Sequence, residues 1–197
     1  MFPLLESIYL SDGVFRNLSY HEARMKESTR YFFKKEILVE LFTHLSGMNI
    51  PAEGLFKIRI IYDTEIQKTE FVPYVANTVR SLKLMYSNTI SYDHKIQDRS
   101  SLHHLYQQRG DADDILIVKN GFITDTYYAN IIFKKDGIWY TPHHFLLKGT
   151  MRQSLLDEGR ILAADITIDN YWQYQSCKLI NAMLGMEGEE ISIESIK

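Results

Sequence analysis

Seven histidines raise the question of a metal site, and four of them form the adjacent pairs His103-His104 and His143-His144. The spacing argues against one. Adjacent side chains on a helix or strand point in different directions, and neither pair has a His or Cys four residues away. His21-Glu22 opens like a metalloprotease helix, but Met25 stands where the second ligand belongs. The sequence therefore predicts no metal. It also contains no Gly-x-Ser-x-Gly elbow, no phosphate loop and no Gly-x-Gly-x-x-Gly, which removes the readily recognised hydrolase, NTPase and dinucleotide chemistries. Arg30 to Lys35 interleaves basic and aromatic residues in a way that could stack on bases. Phe32 and Phe33 fit an apolar helix face better, with Lys34, Lys35 and Glu36 on its solvated side. Three segments remain: Lys95-Ile96-Gln97-Asp98-Arg99, Ile123 to Ile131 with Asp125 and Asn130, and Leu147-Lys148-Gly149-Thr150-Met151-Arg152. Taken singly they read as a surface lysine, a turn and a helix start; their order is what sets them apart.

The elements that must position these segments follow from periodicity and turn chemistry. Leu4 to Leu10 and Val14 to Asn17 flank Ser11-Asp12-Gly13 as a hairpin. Ser19 and Glu22 have capping-box spacing, and His21 to Leu45 runs without Gly or Pro, which predicts one or two helices. Phe32, Phe33, Ile37, Leu38, Leu41, Phe42 and Leu45 recur at three- and four-residue intervals and predict one buried face. Strand patterns occupy Leu55 to Tyr62 and Ile66 to Tyr74. A short helix over Ser100 to Gln108 is expected to end at Gly110. Asn120-Gly121 and Asp136-Gly137 then punctuate a meander of short strands from Ile115 to Thr141. A helix starts just after Gly149, a strand is expected at Ile166 to Ile168, and a last one lies over Lys178 to Leu184. This order predicts an α/β protein of the α+β kind with two small domains, residues 1–88 and 89–197.

Composition agrees with a globular chain. Its 197 residues are 45% hydrophobic and 24% charged, enough to build a core without disulfides or structural metals. The single Cys177 cannot pair within the chain, which points to a reducing compartment. A net charge of −3 provides no basic field for a polyanion. No apolar run reaches the roughly 18 residues that span a bilayer, and no basic leader precedes an apolar stretch. The reading is a cytoplasmic protein with a small-molecule ligand and neither a nucleic-acid nor a membrane partner.

With Tyr140-Thr141-Pro142 between the second and third segments, the chain resembles the class IV aminotransferases, the fold-type-IV pyridoxal-phosphate family. That family includes branched-chain and D-amino-acid aminotransferases and aminodeoxychorismate lyase. The resemblance extends over nearly the whole chain. Glu6-Ser7-Ile8-Tyr9 with Asp12-Gly13 is similar to the family's first strand and turn, and His21-Glu22-Ala23-Arg24 to its His-x-x-Arg helix. Lys178 to Met183 is similar to the segment before the last strand in the lyase branch. The resemblance implies the two-domain D-amino-acid aminotransferase-like fold and pyridoxal 5′-phosphate as cofactor.

Residue by residue, it implies that Lys95 forms the Schiff base and later acts as general base. Asp125 stands where the family usually carries Glu, paired with the pyridine nitrogen so that the ring can act as an electron sink. Arg24 is implied as the arginine that grips the phosphate, and Gly149-Thr150 as the helix N-terminus that meets it. Asn181 and Ala182 match a second phosphate loop, and Asn130 the asparagine on the strand after the acid. Family members carry further strands ahead of the one containing Glu6, so a narrowed or more open site is expected here. A homodimer is also implied, with one protomer closing its partner's site. Lys95-x-x-x-Arg99, Gly149-Thr150-Met151-Arg152 and Ile180-Asn181-Ala182-Met183 favour 4-amino-4-deoxychorismate lyase, which releases pyruvate and 4-aminobenzoate for folate synthesis. The alternatives are an aminotransferase for branched-chain or D-amino acids and a non-catalytic protein that keeps the fold for binding.

Overall fold

Leu4, Glu6, Ile8 and Leu10 are buried and alternate with half-buried neighbours, and this period of two makes a strand. It is β1 (Leu4–Ser11) in the computed structural model of the chain, which describes residues 3–197. Asp12 and Gly13 both take positive φ, 49° and 77°, which the tight turn into β2 (Val14–Phe15) requires. Then come α1 (Leu18–Phe33), α2 (Leu41–Ser46), β3 (Leu55–Tyr62) and β4 (Ile66–Pro73). The strands form an antiparallel sheet in the order β2-β1-β3-β4, with Glu6 opposite Ile60. Met25 of α1 and Leu41 and Leu45 of α2 join Leu4, Ile8 and Ile58 in its core.

Two expectations for this region are corrected. The Ser19–Glu22 capping box does not form: the helix starts at Leu18, behind Asn17 with φ 58° and no side-chain cap. Glu22 instead accepts the Leu41 amide at 2.6 Å and so satisfies a first-turn donor of α2. Nor does one apolar face run from Phe32 to Leu45. Lys34 takes φ 55° and ends α1, and Leu38 in the intervening segment is 95% exposed. Phe42 is also exposed. The spacing was helical, but the backbone between the two helices is not.

A second unit is built around a longer sheet. It contains β5 (Leu82–Tyr86), α3 (Ser100–Gln107), β6 (Asp114–Lys119), β7 (Phe122–Thr126), β8 (Asn130–Lys135) and β9 (Ile138–Pro142). After these come α4 (Thr150–Asp157), β10 (Leu162–Ala164), β11 (Ser176–Ile180) and β12 (Ile191–Ser192). The path is β5-β6-β7-β8-β9-β10, and β11 pairs with both β8 and β12. Asn120-Gly121 and Asp136-Gly137 all have positive φ and close the two hairpins of the expected meander.

The late strand lies at Leu162–Ala164, parallel to β9, while Thr167 makes only an isolated bridge to Phe122. The short helix ends at Gln107 with Gln108 as its cap, before Gly110. The fold is α+β, and contacts divide it into two units. One holds the chain to Ala76 plus His94–Asp98, and the other Asn77–Asp93 plus Arg99–Lys197. Expected domains of 1–88 and 89–197 divide the chain elsewhere. β5 pairs with β6, and the Lys95 segment joins β1 through the Leu4–Ile96 bridge. No helix among the described residues is long and apolar enough to cross a membrane.

Candidate active site

The first unit places two of the sequence-derived site residues. Lys95 is half-buried on a short extended segment whose backbone is fastened to β1: the Leu5 amide donates to the Lys95 carbonyl and Gln97 to Pro3, both at 2.9 Å. Arg24, on the second turn of α1, is engaged by a residue to which the sequence reading gave no chemical role. Its Nε donates to Glu6 Oε1 at 2.9 Å and its Nη2 to Glu6 Oε2 at 2.5 Å, a two-point fork that sets the guanidinium plane. His21, one turn earlier, places Nδ1 2.7 Å from Glu6 Oε2.

Glu6 and His21 are fully buried. Burial alone would raise the Glu6 carboxyl, but the Arg24 charge and the His21 hydrogen bond overcome it and bring it down to about 2. Burial lowers His21 in spite of Glu6, so a neutral imidazole donates through Nδ1 to the carboxylate. The sequence did carry a signal for this cluster. An acid at an inward position of a two-residue alternation, between Leu4 and Ile8, must be paired to be there at all.

The second unit brings most of the remaining site residues together. Asp125, near the end of β7, is buried, and its carboxylate accepts three N–H bonds. Asn130 Nδ2 reaches Oδ1 at 2.9 Å, and the Leu146 and Leu147 amides reach Oδ2 at 3.1 and 2.8 Å. Asn130 spends its other amide hydrogen on the Leu147 carbonyl at 2.9 Å. A carboxylate offers about four lone-pair directions, so this cradle leaves room for one more donor. Burial pushes the Asp125 carboxyl up to about 6, against the pull of the three hydrogen bonds and of Arg152. The donors already present do not fully compensate the charge, and a cationic N–H is the kind of partner the acid lacks.

Gly149 lies against this cradle so closely that an added Cβ would collide with Asn130 Oδ1 and approach its Cγ to 3.0 Å. Only glycine fits there. Thr150 opens α4 just after it and is buried, so the helix N-terminus, with its dipole, adjoins the acid's asparagine and suits an anion. Asn181 follows β11, and its Oδ1 caps the turn by accepting the Met183 and Leu184 amides at 2.9 and 3.0 Å. Its Nδ2 lies 3.5 Å from the carbonyl of Tyr128, in the turn between Asp125 and Asn130. Ala182 sits in the same capped turn, half-buried.

The 126–129 turn is braced from the α3 side. Asp114 Oδ1 accepts the Tyr127 amide at 3.4 Å, and Arg99 donates to the Tyr127 carbonyl while lying 4.6 Å over its ring. Tyr106 stacks on the same Tyr127 ring at 4.3 Å. Asp114 and Arg152, like Glu6 and His21, were not singled out as site residues by sequence. Arg152 lies in the Leu147 to Arg152 segment, where its type and spacing alone assign it no role. Chemically, the second unit presents a buried acid poised for a cationic nitrogen beside a helix N-terminus poised for an anion. The first presents an amine and an oriented guanidinium.

A family model for class IV amino-transferases matches residues 4–188. An uncharacterized protein of Haemophilus influenzae is 34% identical over 189 residues, covering 94% of this chain and all of that one. Among solved structures, a protein of Haemophilus somnus named as a putative 4-amino-4-deoxychorismate lyase is 32% identical. The match covers 94% of this chain and 98% of that chain, with a TM-score of 0.85. A hypothetical aminotransferase of Mycobacterium tuberculosis in its PLP-bound form has the same fold at 14% identity, with a TM-score of 0.75 over 99% of this chain and 81% of that one.

Proposed function

Since the chain belongs to the class IV amino-transferase family, we propose that it is a pyridoxal-5′-phosphate-dependent lyase. Its substrate is 4-amino-4-deoxychorismate and its products are pyruvate and 4-aminobenzoate. The observation that carries this reading is the end-to-end likeness, at 32% identity, to the Haemophilus somnus protein of that name. The cofactor part has its own support in the buried Asp125 cradle and the adjoining helix N-terminus, which suit a ring cation and a phosphate.

In this reading the amine of Lys95 holds the cofactor and, once released by the substrate amine, takes the proton from the carbon bearing nitrogen. Asp125 keeps a proton on the ring nitrogen, and the Asn130, Leu146 and Leu147 donors keep the carboxylate aimed. The first amides of α4 with Thr150, the turn of Asn181 and Ala182, and the guanidinium of Arg24 bind phosphate. When bound, the cofactor supplies a cationic ring that draws electrons from the carbon bearing the substrate nitrogen. The enolpyruvyl group would leave from the neighbouring carbon with the electron pair of its C–O bond and take up the proton held by Lys95 to become pyruvate, which leaves an aromatic ring.

The family match itself favours a second reading, transamination of branched-chain or D-amino acids, in which the same early proton transfer ends in a keto acid. Incubation with aminodeoxychorismate and, separately, with an amino-acid panel and 2-oxoglutarate separates the two. Pyruvate with 4-aminobenzoate supports the lyase; glutamate formed only in the second assay overturns it. Borohydride reduction and peptide mapping test the cofactor. An adduct is expected on Lys95, and one on Lys119 or Lys148, or none, rejects the assignment. A reducible adduct with neither activity would leave a binding protein. The reading also makes the protein a cytoplasmic homodimer in the folate pathway, and a monomer in sedimentation at micromolar concentration would count against the dimer.

A further inference from the structure

Arg152 lies on the inner side of α4, three residues after Gly149, and is 4% exposed. Its Nε donates to Thr141 Oγ1 at 3.1 Å and its Nη2 to the Pro142 carbonyl at 2.8 Å. The guanidinium carbon lies 4.4 Å over the Phe145 ring. Thr141 Oγ1 in turn donates to the Ile131 carbonyl of β8 at 3.1 Å. Every one of these partners is neutral. A buried guanidinium with neutral partners is expensive, and an apolar side chain of similar volume would occupy the place at lower cost. Packing therefore does not account for the charge.

What Arg152 touches does account for it. The chain between β9 and α4, residues 143–149, carries the two amides that hold Asp125 Oδ2 and the carbonyl that holds Asn130. Arg152 grips this loop at its origin, Pro142, and in its middle, Phe145, while Gly149 ends it against Asn130. The groups acting on Asp125 are Asn130 from β8, the Leu146 and Leu147 amides from the loop and the charge of Arg152 from α4.

We propose that Arg152 is a positioning residue for Asp125, clamping the 143–149 loop so that the Leu146 and Leu147 amides stay on the carboxylate. Its positive charge, in the same low-dielectric surroundings, also favours the anionic acid. The consequence for cofactor chemistry rests on the reading of Asp125 as the partner of the ring nitrogen; the clamp itself does not.

The test uses the full chain, with and without pyridoxal 5′-phosphate, in the variants Arg152→Met and Arg152→Lys. Two readouts are followed beside a thermal melt: the pH titration of Asp125 by its 13C-labelled carboxyl carbon, and amide hydrogen exchange of peptides over 143–149. In Arg152→Met the Asp125 midpoint should rise by about one pH unit or more. Exchange over 143–149 should quicken by about tenfold or more, while peptides of β6 and β11 hold their rates. Lysine keeps the charge but lacks the planar fork, so Arg152→Lys should return the midpoint toward the parent without restoring loop protection. An unchanged midpoint and unchanged loop exchange overturn the proposal, as does faster exchange spread evenly over the unit, which would mark Arg152 as a fold stabiliser. If the methionine variant does not fold, the lysine variant decides. Faster loop exchange alone supports the clamp, and parent-like behaviour in both readouts overturns it. Absence of a Lys95 adduct would refute the cofactor reading and leave both readouts standing.

Discussion

Replacing Glu6 by glutamine preserves size and removes charge, leaving the Arg24 fork against a neutral amide at full depth in the first unit. In the protein, burial works against the ionised Glu6, yet Arg24 and His21 bring the carboxyl from its ordinary 4.5 to about 2. One pH unit corresponds to about 1.4 kcal/mol, so the ionised form contributes about 3 kcal/mol to stability near neutral pH. The folded value lies below the unfolded one. The contribution is therefore complete above about pH 4.5 and is lost as pH falls through about 2. Glu6→Gln should be less stable than the parent by about 3 kcal/mol near pH 7 and by roughly half that near pH 3. Urea unfolding followed by far-UV circular dichroism at the two pH values measures both gaps. A gap under about 1 kcal/mol near pH 7 would put the cluster in the range of a solvated surface pair. A gap that does not narrow with acid would mean that the loss comes from packing, and either result refutes the argument.

Asp125→Ala should still form the reducible adduct on Lys95, because the acid does not touch that bond, yet slow turnover by about tenfold or more; unchanged turnover would make the carboxylate a turn residue. Gly149→Ala must push Asn130 off its place, so a stability loss of about 1–3 kcal/mol in a thermal melt and weaker cofactor binding in a fluorescence titration are expected together. Leu41→Ala should cost about 2–5 kcal/mol in urea unfolding and Leu38→Ala under about 0.5 kcal/mol. Equal costs would restore the continuous apolar face that the helix break removes.

Legibility followed local chemistry. The three hairpins joined by Asp-Gly or Asn-Gly were readable because their turns need two positive φ values, and few dipeptides supply them. The end of α1 was not readable, since Lys34 takes its left-handed conformation with no glycine to announce it. Leu82–Tyr86 is not legible as a strand for a different reason: its partner β6 is parallel and 28 residues or more downstream, so nothing nearby marks the pairing. Ile166 to Ile168 has better strand composition than Leu162–Ala164, and yet the latter pairs with β9. There tertiary placement overrides propensity.

The site divides along the same line, between what a residue is and what presses on it. Lys95, Asp125 and Gly149 stand out by type and order, whereas the ionisation of the acids depends on surroundings that only the fold supplies. Glu6 and Asp125 are both buried carboxylates, and their energetics have opposite sign. Glu6 meets a guanidinium and is held at about 2, so its charge stabilises the fold. Asp125 meets neutral donors and is raised to about 6. Its contribution is complete below about pH 3.8 and is lost as pH rises through about 6, and keeping it ionised near neutral pH costs about 3 kcal/mol. If Asp125 pairs with a cationic ring nitrogen, as proposed, the arriving charge recovers what the fold gives up to hold the carboxylate there.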